Sequence, residues 1–474
     1  MYVSLHVCFR YFDHSSGKIL EDFIGFAKCD STTGESLAAA FIAQLTAAGV
    51  NIDNMRGQGY DGAANMSGIH RGVKTRIQQL IPRATYTHCK AHSLNLAIIH
   101  ASKEQHPRNM MQIVQEVAFA FDYSAKRLLR FQEVLGENDA DRAEMERRTK
   151  LKTLCETRWA ARADALYTFK AAFGTVVRTL DELGQNNDAK AVAFKAAVSQ
   201  FSFVITLVAV EHVLSACVAL SKQLQSPSCD LLQAVVEAGV VKAQVEAERN
   251  DPLVWQALYE KAAEMAQSID VLPTFPRAGR QANRPNAPAA NASEYWRINM
   301  YLPFVDHLLA ELDSRLLQGN ERYCIQHLLP SRISAITDQQ IDDIFDAASP
   351  DLYDDRGTFY RECKRWKTRC DQVVTNSTEC LQDVVAALPE DLYPNVARCF
   401  HLLLAMPVST ASAERSFSSM RRLKTYLRST MTTNRLSGLG LLHIHRDREL
   451  SAATVVDRFA ERKQRRLALI FQDN

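Results

Sequence analysis

The feature that most constrains this chain is a change of period near residue 105. At the start, Val3, Leu5, Val7, Phe9 and Tyr11 alternate with Ser4, His6, Cys8 and Arg10. Period two marks a strand with one buried face. Beyond residue 105 the apolar period becomes helical, over about 110–135, 156–183, 189–222, 229–249, 252–270, 294–318 and 338–347. Such a chain is expected to pair a small α/β unit with a large helical body and to be mostly helical overall. No fixed-period repeat runs through it, so a solenoid is not expected.

The α/β part reads in short elements. Residues 13–18 (DHSSGK) carry turn chemistry and 19–29 a second strand, which together predict a hairpin. Thr32-x-x-Glu35 has capping-box spacing, and Leu37, Phe41, Leu45 and Ala48 form a helical stripe that Gly49 ends. Short strands are expected at 55–60 and 85–89, the second followed by an apolar helix over 93–99. Further on, residues 273–293 hold four prolines, Arg277, Arg280 and Arg284, and no acid, which reads as a linker or loop.

Composition narrows the function classes. With 56 basic against 54 acidic residues the formal charge is +2, so any basic surface has to be local. At 47% hydrophobic and 23% charged the chain is globular, and 474 residues allow two to four domains. Eleven cysteines without a CxxC pair read as reduced thiols. The best membrane-span candidate, 203–220, has Glu211 and His212 at its middle; a charge there is costly in lipid, so a buried helix and no membrane partner are expected.

Several local patterns could carry chemistry. Residues 57–62 (GQGYDG) match GxGxxG, but no acid follows between Gly62 and Lys103 to bind a ribose, which disfavours a dinucleotide. The remaining readings are a Gly-rich turn, or glycines presenting Asp61 at a strand end. The same acid-free window holds Arg71, Lys74, Arg76, Arg83, Lys90 and Lys103, either a solvated face or a footprint for phosphates. Cys89 and His92 have CxxH spacing, half a zinc site or a polar pair beside Asp61. Trp159 beside Arg158 reads as core or as a stacking platform for a base. From 415 to 466 there are 13 Lys or Arg against four acids, a net +9. Ser409 or Ser412 is positioned to cap a helix whose first turns carry Glu414, with Phe417, Met420 and Leu423 as its apolar stripe. A second stripe, Leu436, Leu439, Leu442 and His443, must bury itself on the core or on another subunit.

Read together, these blocks resemble the hAT superfamily of DNA transposases and their domesticated descendants, and more narrowly the MYM-type zinc-finger proteins with a hAT-like body. The residues that carry the resemblance are GQGYDGAANMSG (57–68), HCKAHSLNL (88–96), LCETRW (154–159), RAGRQANRPN (277–286), SEYWRINMYLPFVDHLLAELDSR (293–315) and STASAERSFSSMRRLKTYLRSTM (409–431). They stand in the family's order along nearly the whole chain.

The resemblance implies an RNase H-like mixed sheet interrupted by a large all-helical insertion, followed by a helical dimerisation region. The boundaries it suggests are 1–104, 105–384 and 385–474. Family catalysis uses three carboxylates to hold two divalent metals, Mg²⁺ or Mn²⁺, for phosphoryl transfer. Asp61 falls on the second carboxylate, Glu414 on the third, and His92 on the His expected near the scissile phosphate. Contacts to DNA are implied for Cys89, Arg158, Trp159, Arg277, Arg280, Arg284 and Arg415, and dimerisation for Phe417, Met420, Leu436, Leu439 and Leu442. The first carboxylate is expected on a strand upstream of the opening hairpin, a strand this sequence does not hold, and the sheet is therefore expected to be incomplete between that hairpin and the strand before Asp61. The expected function is that of a transposase-derived, catalytically incomplete protein that dimerises, binds DNA in the nucleus and takes no small-molecule substrate. The alternative is a fragment of an active metal-dependent transposase.

Overall fold

The computed structural model describes residues 3–154, 159–276, 289–318, 321–373, 380–425 and 430–461. Strand β1 (Val3–Asp13) pairs antiparallel with β2 (Lys18–Cys29). Their turn closes because Gly17 takes φ +65° and the Asp13 carboxylate accepts from the hydroxyls of Ser15 and Ser16. Val7 faces Gly25 while Cys8 faces Phe23, so Ile24 is the extra residue of a bulge on β2. The next helix, Gly34–Ala47, starts one residue later than the capping box predicts. Thr33 is the cap and accepts from the Ser36 N–H; Gly34, the first helical residue, sits where a Cβ would strike the Arg71 carbonyl.

Strand β3 (Gly57–Tyr60) pairs in parallel with β4 (Thr85–His88). Among the described residues β1 pairs with β2 alone and β3 with β4 alone. The expected mixed sheet is thus two separate ribbons. A cleft of about 1190 Å³, lined by residues 5–12 of β1 and 57–60 of β3, lies between them, wider than a direct ladder permits.

The rest is helical. The predicted 110–135 segment divides into Gln105–Asp122 and Ala125–Glu137, because the Ser124 hydroxyl accepts from Arg127 N–H and starts a new helix. The predicted 294–318 segment alternates α and π turns, with π turns at Arg297–Tyr301 and Asp313–Leu317. At the centre runs Phe201–Leu224, long and apolar enough to cross a bilayer and packed instead inside the protein. Its one acid, Glu211, is paired with Lys170.

The C-terminal helices return to the N-terminal hairpin. The Thr433–Ile444 helix lies on β2: the Ser437 hydroxyl lies 3.0 Å from the Phe26 N–H and 3.2 Å from the Phe26 carbonyl, and His445 Nε2 lies 3.0 Å from the Phe23 carbonyl. These side chains bond backbone groups of β2, whose only strand partner among the described residues is β1. Gly440 allows the approach, since a Cβ there would stand 2.7 Å from the Phe26 ring.

Candidate functional site

The site is assembled where β3 and β4 end. Gly57 and Gly59 share one face of β3, and a Cβ on either would come within 2.8 Å of the Pro407 ring. Gln58, on the opposite face, is buried, and its amide donates to the carbonyls of Lys74 and Ala84. The Gly-Gln-Gly segment therefore lies within β3, where packing on Pro407 requires its glycines, and not in the turn that the sequence suggests. Segment 407–410 straps the ends of both strands: Lys90 N–H donates to the Val408 carbonyl at 2.8 Å, and Cys89 N–H to the Tyr60 carbonyl at 2.9 Å.

Cys89 knots this strap. Its sulfur accepts from the N–H of His92 at 3.4 Å and of Thr410 at 3.2 Å, and burial pushes its thiol pKa up. At 1% exposure it cannot touch DNA, a correction to the expected contact. The reason is that the strap from the far end of the chain covers it. The Thr410 hydroxyl stands 3.3 Å from both Cys89 Sγ and Glu414 Oε1. Thr410 occupies the N-cap position of the Ala411–Leu423 helix without a side-chain cap; of the expected caps, the Ser409 hydroxyl accepts from Ala411 N–H at 3.4 Å, while the Ser412 hydroxyl donates to Glu21.

Asp61 follows β3 directly, and its carboxylate accepts from Ala63 N–H at 3.3 Å. Gly62 leaves room for two imidazoles: a Cβ there would stand 3.0 Å from His88 and 3.5 Å from His92. Burial lowers the His88 pKa, and the Asp61 carboxylate partly opposes that shift. Asp61 and Glu414 line the same cleft. Among the described residues, neither shares a metal-sized cluster with two further His, Cys, Asp or Glu ligand atoms.

The acid-free window is less of a phosphate footprint than its sequence suggests. Arg83 lies 3.3 Å from Asp351, Arg76 lies 3.5 Å from Glu35, and Lys74 sits over the Tyr86 ring. Lys90 is buried and donates to the Leu316 carbonyl, and burial lowers its pKa. The compensating acids come from elsewhere in the chain. Arg415 is exposed and donates to the Gln225 carbonyl and to Ser412. Trp159 opens the Trp159–Ala171 helix. Its side chain, together with Arg158, Arg277, Arg280 and Arg284, lies outside the described residues.

A cluster that sequence reasoning missed links the hairpin to both halves of the helical body. Arg10 donates to Glu21 at 2.7 Å and to the carbonyls of Pro227, Cys229 and Leu404. Its signal was present, because a hairpin with this turn sets Arg10 opposite Glu21.

Residues 387–447 match the hAT family C-terminal dimerisation region. The chain carries a hAT dimerisation region. Residues 2–72 match the ZMYM1/FAM200 RNase-like domain. Over 480 residues the chain is 27% identical to the human protein called 52 kDa repressor of the inhibitor of the protein kinase, covering 96% of this chain and 61% of that one. The mouse protein of the same name is 27% identical over 482 residues, covering 96% and 62%. The chain thus spans about three fifths of the length of these curated relatives.

Within the hAT region the expected dimerisation residues divide. Leu436 is buried against Phe23 and Phe26 of its own chain, and Met420 packs on the same cluster. Leu436 is corrected to an internal contact, because its own chain covers it, while Met420 is half-buried. Phe417 lines the cleft and stacks on His6. Leu439 is half-buried, and Leu442 is 59% exposed.

Proposed function

We propose that this chain is a hAT transposase-derived protein that works in the nucleus by self-association and DNA binding, without cutting DNA. The observation that carries the reading is the hAT dimerisation region, in which Leu442 stays exposed after Leu436 has been used internally. The net +9 between 415 and 466 supplies a surface for phosphates beside it. A metal clamp short of ligands supports binding without cleavage. The two relatives bear the name repressor, a role that also needs binding alone.

The test is sedimentation of the full chain, paired with a salt titration of DNA binding. A dimer at micromolar concentration that Leu442→Asp converts to monomer, with affinity for duplex DNA falling steeply as salt rises, is expected. A wild-type monomer, or DNA binding absent at low salt, would sink the proposal.

One observation favours a second reading. Asp61 and Glu414 meet on one cleft whose walls are two strand edges, an arrangement that a further strand bearing a carboxylate would complete. In that case the chain belongs to a Mg²⁺- or Mn²⁺-dependent strand-cleaving centre. Cleavage of duplex DNA by the wild-type chain with either ion, lost in Glu414→Gln, would establish it.

A further inference from the structure

Three side chains from distant parts of the sequence converge beside the cleft. His14 comes from the β1–β2 turn, Glu390 from the turn before the Pro394–Ala405 helix, and His401 from within that helix. Ligand atoms of the three all lie within 4.8 Å of one another. The His14 and His401 rings are 5.0 Å apart and nearly perpendicular. Phe12 stacks on His401 at 4.9 Å and meets His14 edge-on at 5.1 Å, which holds both imidazoles in place.

His401 is the unexplained member. Its Nε2 is buried and makes no hydrogen bond, although Glu390 Oε1 stands 3.4 Å away. A buried imidazole nitrogen facing a carboxylate without a hydrogen bond is an arrangement that a bound cation would complete. We propose that His14, Glu390 and His401 form a binding site for a borderline transition-metal ion, Zn²⁺ by preference. Two imidazoles and one carboxylate are a common donor set for zinc, with a fourth position left open. His14 and His401 also line the cleft, so water from the cleft can take that position. Arg398, on the same helix as His401, places a positive charge near it, and the Glu390 carboxylate opposes that charge.

The ion would act as a clasp, tying the tip of the N-terminal hairpin to the C-terminal helices. No catalytic role for it follows from this geometry.

The experiment uses the full chain freed of metal by a chelator, titrated with Zn²⁺ and followed by calorimetry, with Co²⁺ as a spectroscopic stand-in. One Zn²⁺ per chain is expected, with a Co²⁺ absorption typical of four-coordinate nitrogen and oxygen ligation. His14→Ala and Glu390→Gln, both at exposed turn positions, should fold normally and each weaken binding by roughly tenfold or more. Mg²⁺ in large excess should not compete. Absence of Zn²⁺ binding, or binding that both variants leave unchanged, overturns the proposal, as does displacement of Zn²⁺ by Mg²⁺.

Discussion

Two helices of this protein carry ample apolar surface and use it in opposite ways. Phe201–Leu224 is apolar on every face and is buried on nearly every face, its Glu211 neutralised by Lys170. Ala452–Glu461 is amphipathic, and none of its residues is buried; Val455 stays 52% and Phe459 50% exposed. The first helix is the interior of a fold, since burial from all sides leaves no face for a partner. The second keeps an apolar face at the surface just beyond the hAT dimerisation region, where a second copy can cover it. Apolar content alone does not separate these roles. The distribution of charge around the helix does.

The largest effect on chain stability is expected in the first helix. Leu207→Ala, at a position with no exposure, should cost about 2–5 kcal/mol and move the urea midpoint accordingly. Its sedimentation at native conditions should not change. A dissociated but otherwise stable variant would reverse the division of labour drawn between the two helices.

Next comes the strap. Gly59→Ala drives a methyl to within 2.8 Å of the Pro407 ring, on a strand fixed by its ladder. The expected cost is about 1–3 kcal/mol, from overpacking where neither side can yield. The control is Gly136→Ala, within a helix and with nothing within 4 Å of the new Cβ, which should be neutral or stabilising by up to about 1 kcal/mol. Equal effects at the two glycines would mean that the 57–62 motif is not held by the strap.

These contrasts also mark what could be read in advance. The hairpin, the short strands and the helical body follow from periodicity; the placing of Asp61 and Glu414 on one cleft is an expectation that only the family resemblance supplies. The fate of Cys89 does not, because the segment that buries it lies more than three hundred residues later. Leu436 and Leu442 look equivalent in the sequence; only the folded chain shows that Leu436 packs on Phe23 and Phe26 of β2 while Leu442 stays at the surface. The acid-free window likewise looks unpaired until Glu35 and Asp351 arrive from other elements. Local pattern fixes which faces are apolar. It does not fix which face the rest of the chain reaches first.

A smaller effect is expected with pH. His6 on β1 bonds Ser416 at 2.6 Å, joining the hairpin to the Ala411–Leu423 helix, and burial pushes its pKa from 6.5 down to about 4. The folded state therefore binds fewer protons than the unfolded state below pH 6.5. Stability present above that pH should fall as the pH drops from about 6.5 towards about 4. His6→Gln should flatten that part of the stability profile. An unchanged slope in the variant would assign the acid sensitivity to other groups.

The smallest change in chain stability is expected where the change in assembly is largest. Val455→Asp with Phe459→Asp places two charges on the face that Ala452–Glu461 leaves exposed, so unfolding should shift by no more than about 0.5 kcal/mol per site. Self-association measured by sedimentation should nevertheless weaken, because burying a carboxylate at an interface without a partner is strongly unfavourable. Leu442→Asp in the hAT region provides the scale. If the double variant weakens association as much as Leu442→Asp, the interface extends past residue 447. If it has no effect on assembly, the exposed face of the last described helix is not covered by a second copy, and the contrast with Phe201–Leu224 becomes one between a core and a plain solvent surface.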